Sequence, residues 1–303
     1  MVDIKLSNVG DYESDIPAVA RATRRSRLRL VRAAQSIDRE GALEAGELGF
    51  YARIFVRATL PHRDPRKGSF ERQNGSYRLS LTATSSAGLP FGRFSRLLLA
   101  WICTEAVRTK SPDLVLGRNL SSFMESLGLV PTGGPRGTIA CLRDQARRLF
   151  GTSIASSFEY PHGTREEGFR IVEPSREALP FAPGESGDRR LTLTPECFAS
   201  ITTRPVPIDL RVLRALRSPL AIDVYLWTTW RLFRLRQPVQ IPWRPLARQF
   251  GSDYGRLRAF RAHFREAIGA VLVVYPALRV SLTSSGLQLR PSSTHVSRLG
   301  RRP

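Results

Sequence analysis

The chain has 303 residues, with 47 Lys and Arg against 26 Asp and Glu, a net charge of +21 and a pI near 11.3. A hydrophobic share of 42% is enough for two cores and excludes global disorder, while the charge calls for a polyanionic partner. Lys5, Lys67 and Lys110 are the only lysines, so the positive charge is arginine. Arginine's planar guanidinium suits bidentate contact with phosphate and guanine; a high-GC genome would explain arginine over lysine but not so large an excess.

Residues 1–48 begin polar and then carry Arg21, Arg24, Arg25, Arg27, Arg29 and Arg32 with no acid among them. A helix over about residues 18–40 is expected, as a basic arm that is either solvated or in contact with DNA. Residues 50–60 and 76–84 alternate in apolar character around the turn signal Asn74-Gly75, which predicts a β-pair. Residues 94–108 (FSRLLLAWICTEAVR) predict a long helix, residues 119–128 (NLSSFMESLG) a short one ending on glycine, and residues 137–150 a third. Residues 152–160 read as a strand, with residues 170–172 as its return. Prolines and glycines gather over residues 173–190, the best linker candidate. Beyond it, residues 191–193 read as a short strand, Thr194-Pro195-Glu196 and Ser218-Pro219 as helix starts, and residues 284–286 as the turn of a final hairpin. The tail over residues 291–303 is expected to be flexible.

The second half repeats the first. Ile139, Leu142, Ala146 and Leu149 recur at one constant offset as Leu257, Phe260, Phe264 and Ala267, while Arg143 and Arg147 recur as Arg261 and Arg265. Both sets follow the spacing of a single helix face. The match extends forward from residues 152–160 to residues 270–278, an apolar strand-like run after each helix, and backward from residues 119–128 to residues 243–251 and from residues 94–108 to residues 222–236. Each unit reads helix, short strand, helix, turn, helix, strands. That is the order of a winged helix, whose third helix enters the major groove beside a β-hairpin wing.

The expected fold is therefore α+β and helix-rich, with two tandem winged-helix units behind an N-terminal basic arm: arm 1–48, first unit 49–172, linker 173–190, second unit 191–290 and tail 291–303. The DNA-binding candidates are Arg136, Arg143, Arg147 and Arg148 in the first unit and Arg256, Arg258, Arg261 and Arg265 in the second. A charge run on one helix is usually a solvated face; recurrence within a matching order of elements favours DNA contact. Residues 204–265 are dense in arginine against only Asp209, Asp223 and Asp253, and the turn over residues 251–255 is tighter than that over residues 128–137. The second unit is thus the expected base reader, and the first a backbone contact or a face shared with a second monomer.

Chemistry has no visible home. His62, His162, His263 and His295 are isolated, no DxD or GxxxxGK[ST] occurs, and His62-Arg63-Asp64 imitates a kinase catalytic loop only by coincidence. Cys103, Cys141 and Cys197 lack metal spacing, and the first two read as core thiols. The tryptophans lie among apolar residues at helical spacing, which favours core packing over base stacking. No enzyme, cofactor or metal is expected. With no signal peptide, lipidation motif or apolar stretch of about 18 residues, a cytoplasmic protein with no membrane partner is expected.

Residues 89–111 (LPFGRFSRLLLAWICTEAVRTKS), 116–127, 205–231 (PVPIDLRVLRALRSPLAIDVYLWTTWR) and 48–63 (LGFYARIFVRATLPHR) resemble the plasmid RepA-type replication initiators of bacteria, in that family's order. The resemblance implies binding to repeated double-stranded sites at a plasmid origin, opening of the adjacent duplex, and recruitment of the host initiator and replicative helicase. It also implies that a homodimer repressing its own gene is an open role. The alternative is a winged-helix transcriptional repressor binding a promoter palindrome as a dimer. The DNA around the gene separates the two: direct repeats of about two helical turns beside an AT-rich tract are expected for an initiator, and a lone palindrome would reverse the choice.

Overall fold

Helix α1 (Arg24–Arg39) opens the computed structural model, which describes residues 24–117, 119–173, 189–251 and 254–296. Leu30, Ala33 and Ile37 share the face of α1 that packs on the core. Its C-terminal end is tied by Arg211, whose guanidinium donates to the carbonyls of Ser36 and Glu40 at 3.0 and 2.9 Å. The expected start of this helix, before residue 24, lies outside the described residues.

Strand β1 (Leu48–Tyr51), helix α2 (Arg53–Arg57) and the hairpin β2 (Ser69–Asn74) and β3 (Tyr77–Ala83) come next. The strand expected over residues 50–60 therefore ends at Tyr51, and residues 53–57 are helix. Ile54, Phe55 and Val56 are all buried, and three consecutive inward side chains suit a wedge of helix rather than a pleated strand. The partner of β3 is instead the polar segment SFERQN, an edge strand too hydrophilic to show the alternation. Gly75, at φ +58, supplies the left-handed turn between them.

The first unit continues with α3 (Gly92–Thr109), β4 (Asp113–Gly117), α4 (Leu120–Ser126), α5 (Thr138–Phe150), β5 (Thr152–Tyr160) and β6 (Gly163–Arg170). Strands order as β2-β3-β5-β6 in one antiparallel sheet. The return strand of the hairpin is thus β6, earlier than the residues 170–172 expected; Val172 instead bridges to Leu193. After residues 174–188, which hold most of the expected linker and lie outside the described ones, come β7 (Arg189–Thr192), α6 (Pro195–Thr202), β8 (Val206–Asp209) and α7 (Leu210–Ala215). The expected second unit, which from residue 191 includes α6, β8 and α7, continues with α8 (Pro219–Leu232), β9 (Val239–Pro242), α9 (Trp243–Phe250), α10 (Leu257–Val274), β10 (Val280–Leu282) and β11 (Gly286–Leu289), the last three strands pairing in the order β10-β11-β9.

The helix starts read from sequence carry side-chain caps. Asn119, Thr194 and Ser218 accept from the backbone N–H groups of Ser122, Cys197 and Ala221. Two other expectations are corrected. Residues 270–278 do not form a strand, because α10 runs on to Val274: Ala267, Ile268, Val271 and Val274 extend the buried stripe of Phe260 and Phe264 at helical spacing. The β-branched residues mimic a strand, but the face packs against α8 and α1. Nor is the start of the tail free. His295 meets the Tyr225 hydroxyl at 2.9 Å and the Val274 carbonyl at 3.0 Å, Tyr275 donates to the Ser293 carbonyl, and Val296 is buried.

Pairing of β4 with β7, which takes in the last two residues of the expected linker, and of β1 with β8 joins the segments before and after it. The two long helices α3 and α8, equivalent in the repeat, pack on each other within one continuous core. At their contact Arg96 grips Asp223 through two N–H groups at 2.7 and 2.6 Å, and donates its others to the carbonyls of Leu60, Pro61 and Gly92. His62 Nε2 lies 2.9 Å from the same carboxylate. All three side chains are buried. Burial works to raise the Asp223 carboxyl, but Arg96 and the hydrogen bond from His62 outweigh it and hold it below the ordinary carboxylate range. Burial, against the pull of Asp223, holds His62 below the ordinary histidine value of 6.5. Its Nδ1 is buried without a partner among the described residues, as suits a neutral ring. Burial also pushes the Cys103 thiol up to about 12 and raises that of Cys197, so both are inert core thiols, whereas Cys141 is only half-buried.

Asp223→Ala leaves the Arg96 charge buried and uncompensated, and is expected to cost about 3 to 5 kcal/mol in urea unfolding. A loss within the range of an ordinary surface change would show that the pair does not hold the helices. Both His62 and Asp223 bind protons less readily folded than unfolded, so stability falls as pH drops. The His62 part sets in below about 6.5, and His62→Gln is expected to flatten the decline of the urea midpoint from neutral pH toward 5.5.

Candidate nucleic-acid interface

In the second unit, α9 and α10 are set by rings. Trp243 and Phe250 of α9 meet Phe264 of α10 at centroid distances of 5.9 and 5.7 Å, Trp243 meets Phe260 at 6.4 Å, and Trp227 of α8 closes on Phe250 at 5.6 Å. Edge-on and tilted aromatic contacts of this kind fix direction as well as burying area. Gly251 makes the turn: a Cβ there would meet the Ala247 carbonyl at 2.8 Å and the Phe260 ring at 2.9 Å. Trp243 also ties the pair to the final hairpin, donating its indole N–H to the Thr283 carbonyl at 3.1 Å and its backbone N–H to the Ser285 carbonyl at 3.2 Å. Gly286 lets β11 close on β9, since a Cβ would lie 2.1 Å from the Ile241 carbonyl.

With Phe260, Phe264, Ala267 and Ile268 turned inward, α10 presents Arg258, Ala259, Ala262, His263 and Arg265 outward, beyond Arg256 at its N-cap. Arg256, Arg258 and Arg265 are exposed. Arg261 is not equivalent to them, because its guanidinium lies 5.1 Å over the Trp243 ring. Tyr254 stacks on His263 at 5.0 Å and 27°, and Glu266 reaches the same histidine at 3.5 Å. Ala259, Ala262 and His263 were missed in the sequence, although their spacing opposite the apolar stripe marks them. Two alanines there leave the backbone of α10 open to close approach.

The first unit has the same plan with different details. The long turn before α5 is closed by a reciprocal pair, in which the backbone N–H groups of Thr132 and Thr138 each donate to the other's hydroxyl at 2.9 Å. Gly137 is required there, since a Cβ would lie 2.2 Å from the Gly133 carbonyl. Arg136 on this turn and Arg147 on α5 are exposed, and Arg143 is half-buried. Arg148 is drawn inward: it bonds Asp144 at 2.8 Å and Asp64 at 3.2 Å, and lies 5.1 Å over the Phe91 ring. It braces α5 against the segment before α3, with Gln145 accepting from the Phe91 N–H at 2.7 Å beside it. The eight sequence candidates thus divide into five exposed arginines (Arg136, Arg147, Arg256, Arg258 and Arg265), the half-buried Arg143, and two, Arg148 and Arg261, held by internal partners.

Among the described residues no cluster of His, Cys, Asp or Glu could hold a metal ion, and no helix is long and apolar enough to cross a membrane.

Residues 89–243, just over half of the chain, match the family model described as plasmid encoded RepA protein. The match ends at Trp243, so α10 and the β10–β11 hairpin lie beyond it, while β9 lies within it. No curated protein sequence matches. Among solved structures, the crystal structure of RctB domains 2–3 is similar at 16% identity over 75% of this chain and 83% of that one, with a TM-score of 0.46. A second, of selenomethionine derivatives of domain 2 and domain 3 of RctB, is similar at 14% identity over 76% of this chain and 94% of that one, also with a TM-score of 0.46.

Arg148→Ala breaks an internal brace and Arg147→Ala does not. The first is expected to lower the thermal midpoint by several degrees and the second to leave it in place, as read by differential scanning calorimetry. Equal shifts would contradict the division.

Proposed function

The chain belongs to the plasmid encoded RepA protein family, and from that membership we propose that it is a replication initiator that binds repeated double-stranded DNA sites at a plasmid origin. On this reading each repeat unit is a winged helix. In the second, α10 enters the major groove and the β10–β11 hairpin lies beside it; in the first, α5 and the β5–β6 hairpin take the same roles. Binding energy from several protomers offsets the cost of deforming and opening the neighbouring duplex, and the assembled complex brings in the host initiator and replicative helicase. The protein acts in the cytoplasm by binding and not by catalysis, alone or as a homodimer.

One observation carries the reading: α10 is seated by an aromatic cluster so that Arg258 and Arg265 stand outward on a face kept low by Ala259 and Ala262, in a chain of net charge +21. Arginines on such a face can pair with guanine edges while flanking arginines hold phosphates. With about 6 to 10 phosphates engaged, log K against log salt has an expected slope of about −5 to −9.

Arg258→Ala with Arg265→Ala is expected to remove the preference for an origin-repeat duplex over a scrambled one in fluorescence anisotropy, with the thermal midpoint unchanged. A double variant that keeps the full preference would move the reading helix elsewhere.

A further inference from the structure

Helix α2 sits between the units, packed against α6 and α8, with Ile54, Phe55 and Val56 buried and an arginine at each end. Arg57 is half-buried and oriented by two rings, with its guanidinium 4.1 Å over Tyr77 and 4.9 Å over Phe158. Arg53, also half-buried, shares its surroundings with Arg204, just past α6, and Arg234, just past α8. After burial, the positive fields of those two are what lower Arg53 from the ordinary arginine value. Among the described residues none of these four arginines is joined to a carboxylate. Glu167, whose field reaches Arg53 and Arg57, pairs with Arg165 at 2.7 Å. Among the described residues other inward arginines have partners: Arg96 pairs with Asp223, Arg148 with Asp144 and Asp64, Arg211 with Asp209 and Arg214 with Glu47, while the buried Arg93 is held by the carbonyls of Leu216 and Arg214. Three positive groups brought together from three elements without a counter-charge are unfavourable in the free protein, and the repulsion is relieved by a polyanion.

We propose that Arg53, Arg204 and Arg234, with Arg57 stacked beside them, form a clamp for the phosphate backbone of duplex DNA at the seam between the two units. The clamp rests on the reading of the chain as a DNA-binding initiator and adds a contact that neither reading helix contains. Guanidinium groups suit it because each can hold two phosphate oxygens in one plane. The contact carries no sequence information; it sets the register of the backbone where the duplex passes from one unit to the other.

The test uses the full chain with Arg204→Ala and Arg234→Ala, both at exposed positions, and separately with Arg53→Gln added. Affinity is measured by anisotropy against salt for an origin-repeat duplex and a scrambled duplex of the same length. The double variant is expected to bind both duplexes about tenfold more weakly near 0.1 M salt, with a slope shallower by about 2, and the triple variant by about 2 to 3, while the ratio between the duplexes is unchanged. Curves that superpose on those of the parent chain overturn the clamp. A change in the ratio with an unchanged slope overturns it as well, by making these arginines base readers. A parent chain that shows no preference for the origin duplex sinks the initiator reading alone, because the slope on the scrambled duplex still decides the clamp.

Discussion

The contact between Arg96 and Asp223 holds the rest of the molecule in place. Burying two charges costs several kcal/mol each, so such a pair persists only where the geometry is good and the leftover donors are satisfied. Here the carboxylate takes two N–H groups from Arg96 and one from His62, and the remaining arginine donors reach the carbonyls of Leu60, Pro61 and Gly92. Those partners come from α3, α8 and the segment between α2 and β2. None of these elements can slide without leaving a charge or a donor orphaned in the interior, so the angle between the two repeat units is set by electrostatics as well as by shape.

Other ties reinforce that seam in the same manner. Arg93 donates to the carbonyls of Leu216 and Arg214 at the C-terminal end of α7, and burial together with the fields of Arg217 and Arg29 pushes it down to about 10. Arg214 reaches back to Glu47 at 2.7 Å and Arg211 to the end of α1. Arginine therefore does two jobs in this chain. Some guanidiniums are structural struts that donate to acids or carbonyls, and others stand in solvent without them.

That division explains what could be read from the sequence. The long helix of each half, the two helices that follow it, the capped starts at Thr194 and Ser218 and the final hairpin were legible because they rest on local spacing and turn chemistry. The sorting of arginines was not, since each strut finds its partner far along the chain: Asp223 for Arg96, Asp64 for Arg148, Glu47 for Arg214. Neither was the buried role of His62, which looks isolated until residues 62 and 223 meet. Apolar runs misled in both directions. Residues 54–56 and 270–274 are rich in β-branched and aromatic side chains, yet tertiary burial on consecutive or helically spaced positions makes them helix.

The two units are also unequal in a way that bears on how a duplex would be held. The β5–β6 hairpin is long and carries Glu159, Glu166 and Glu167 against Arg165 and Arg170, whereas the turn of the β10–β11 hairpin carries only Thr283, Ser284 and Ser285. A carboxylate-rich wing is repelled by phosphate, while a small hydroxyl-rich one can approach it. On the proposed reading the second unit docks closely with both helix and wing, and the first docks mainly through the exposed Arg136 and Arg147, its wing beside the duplex but held less closely to the phosphates. Because Arg96 and Asp223 fix the angle between the units, this unequal grip is presented to DNA as one rigid surface. The spacing of the contacted segments is then a property of the protein and not of a flexible linker.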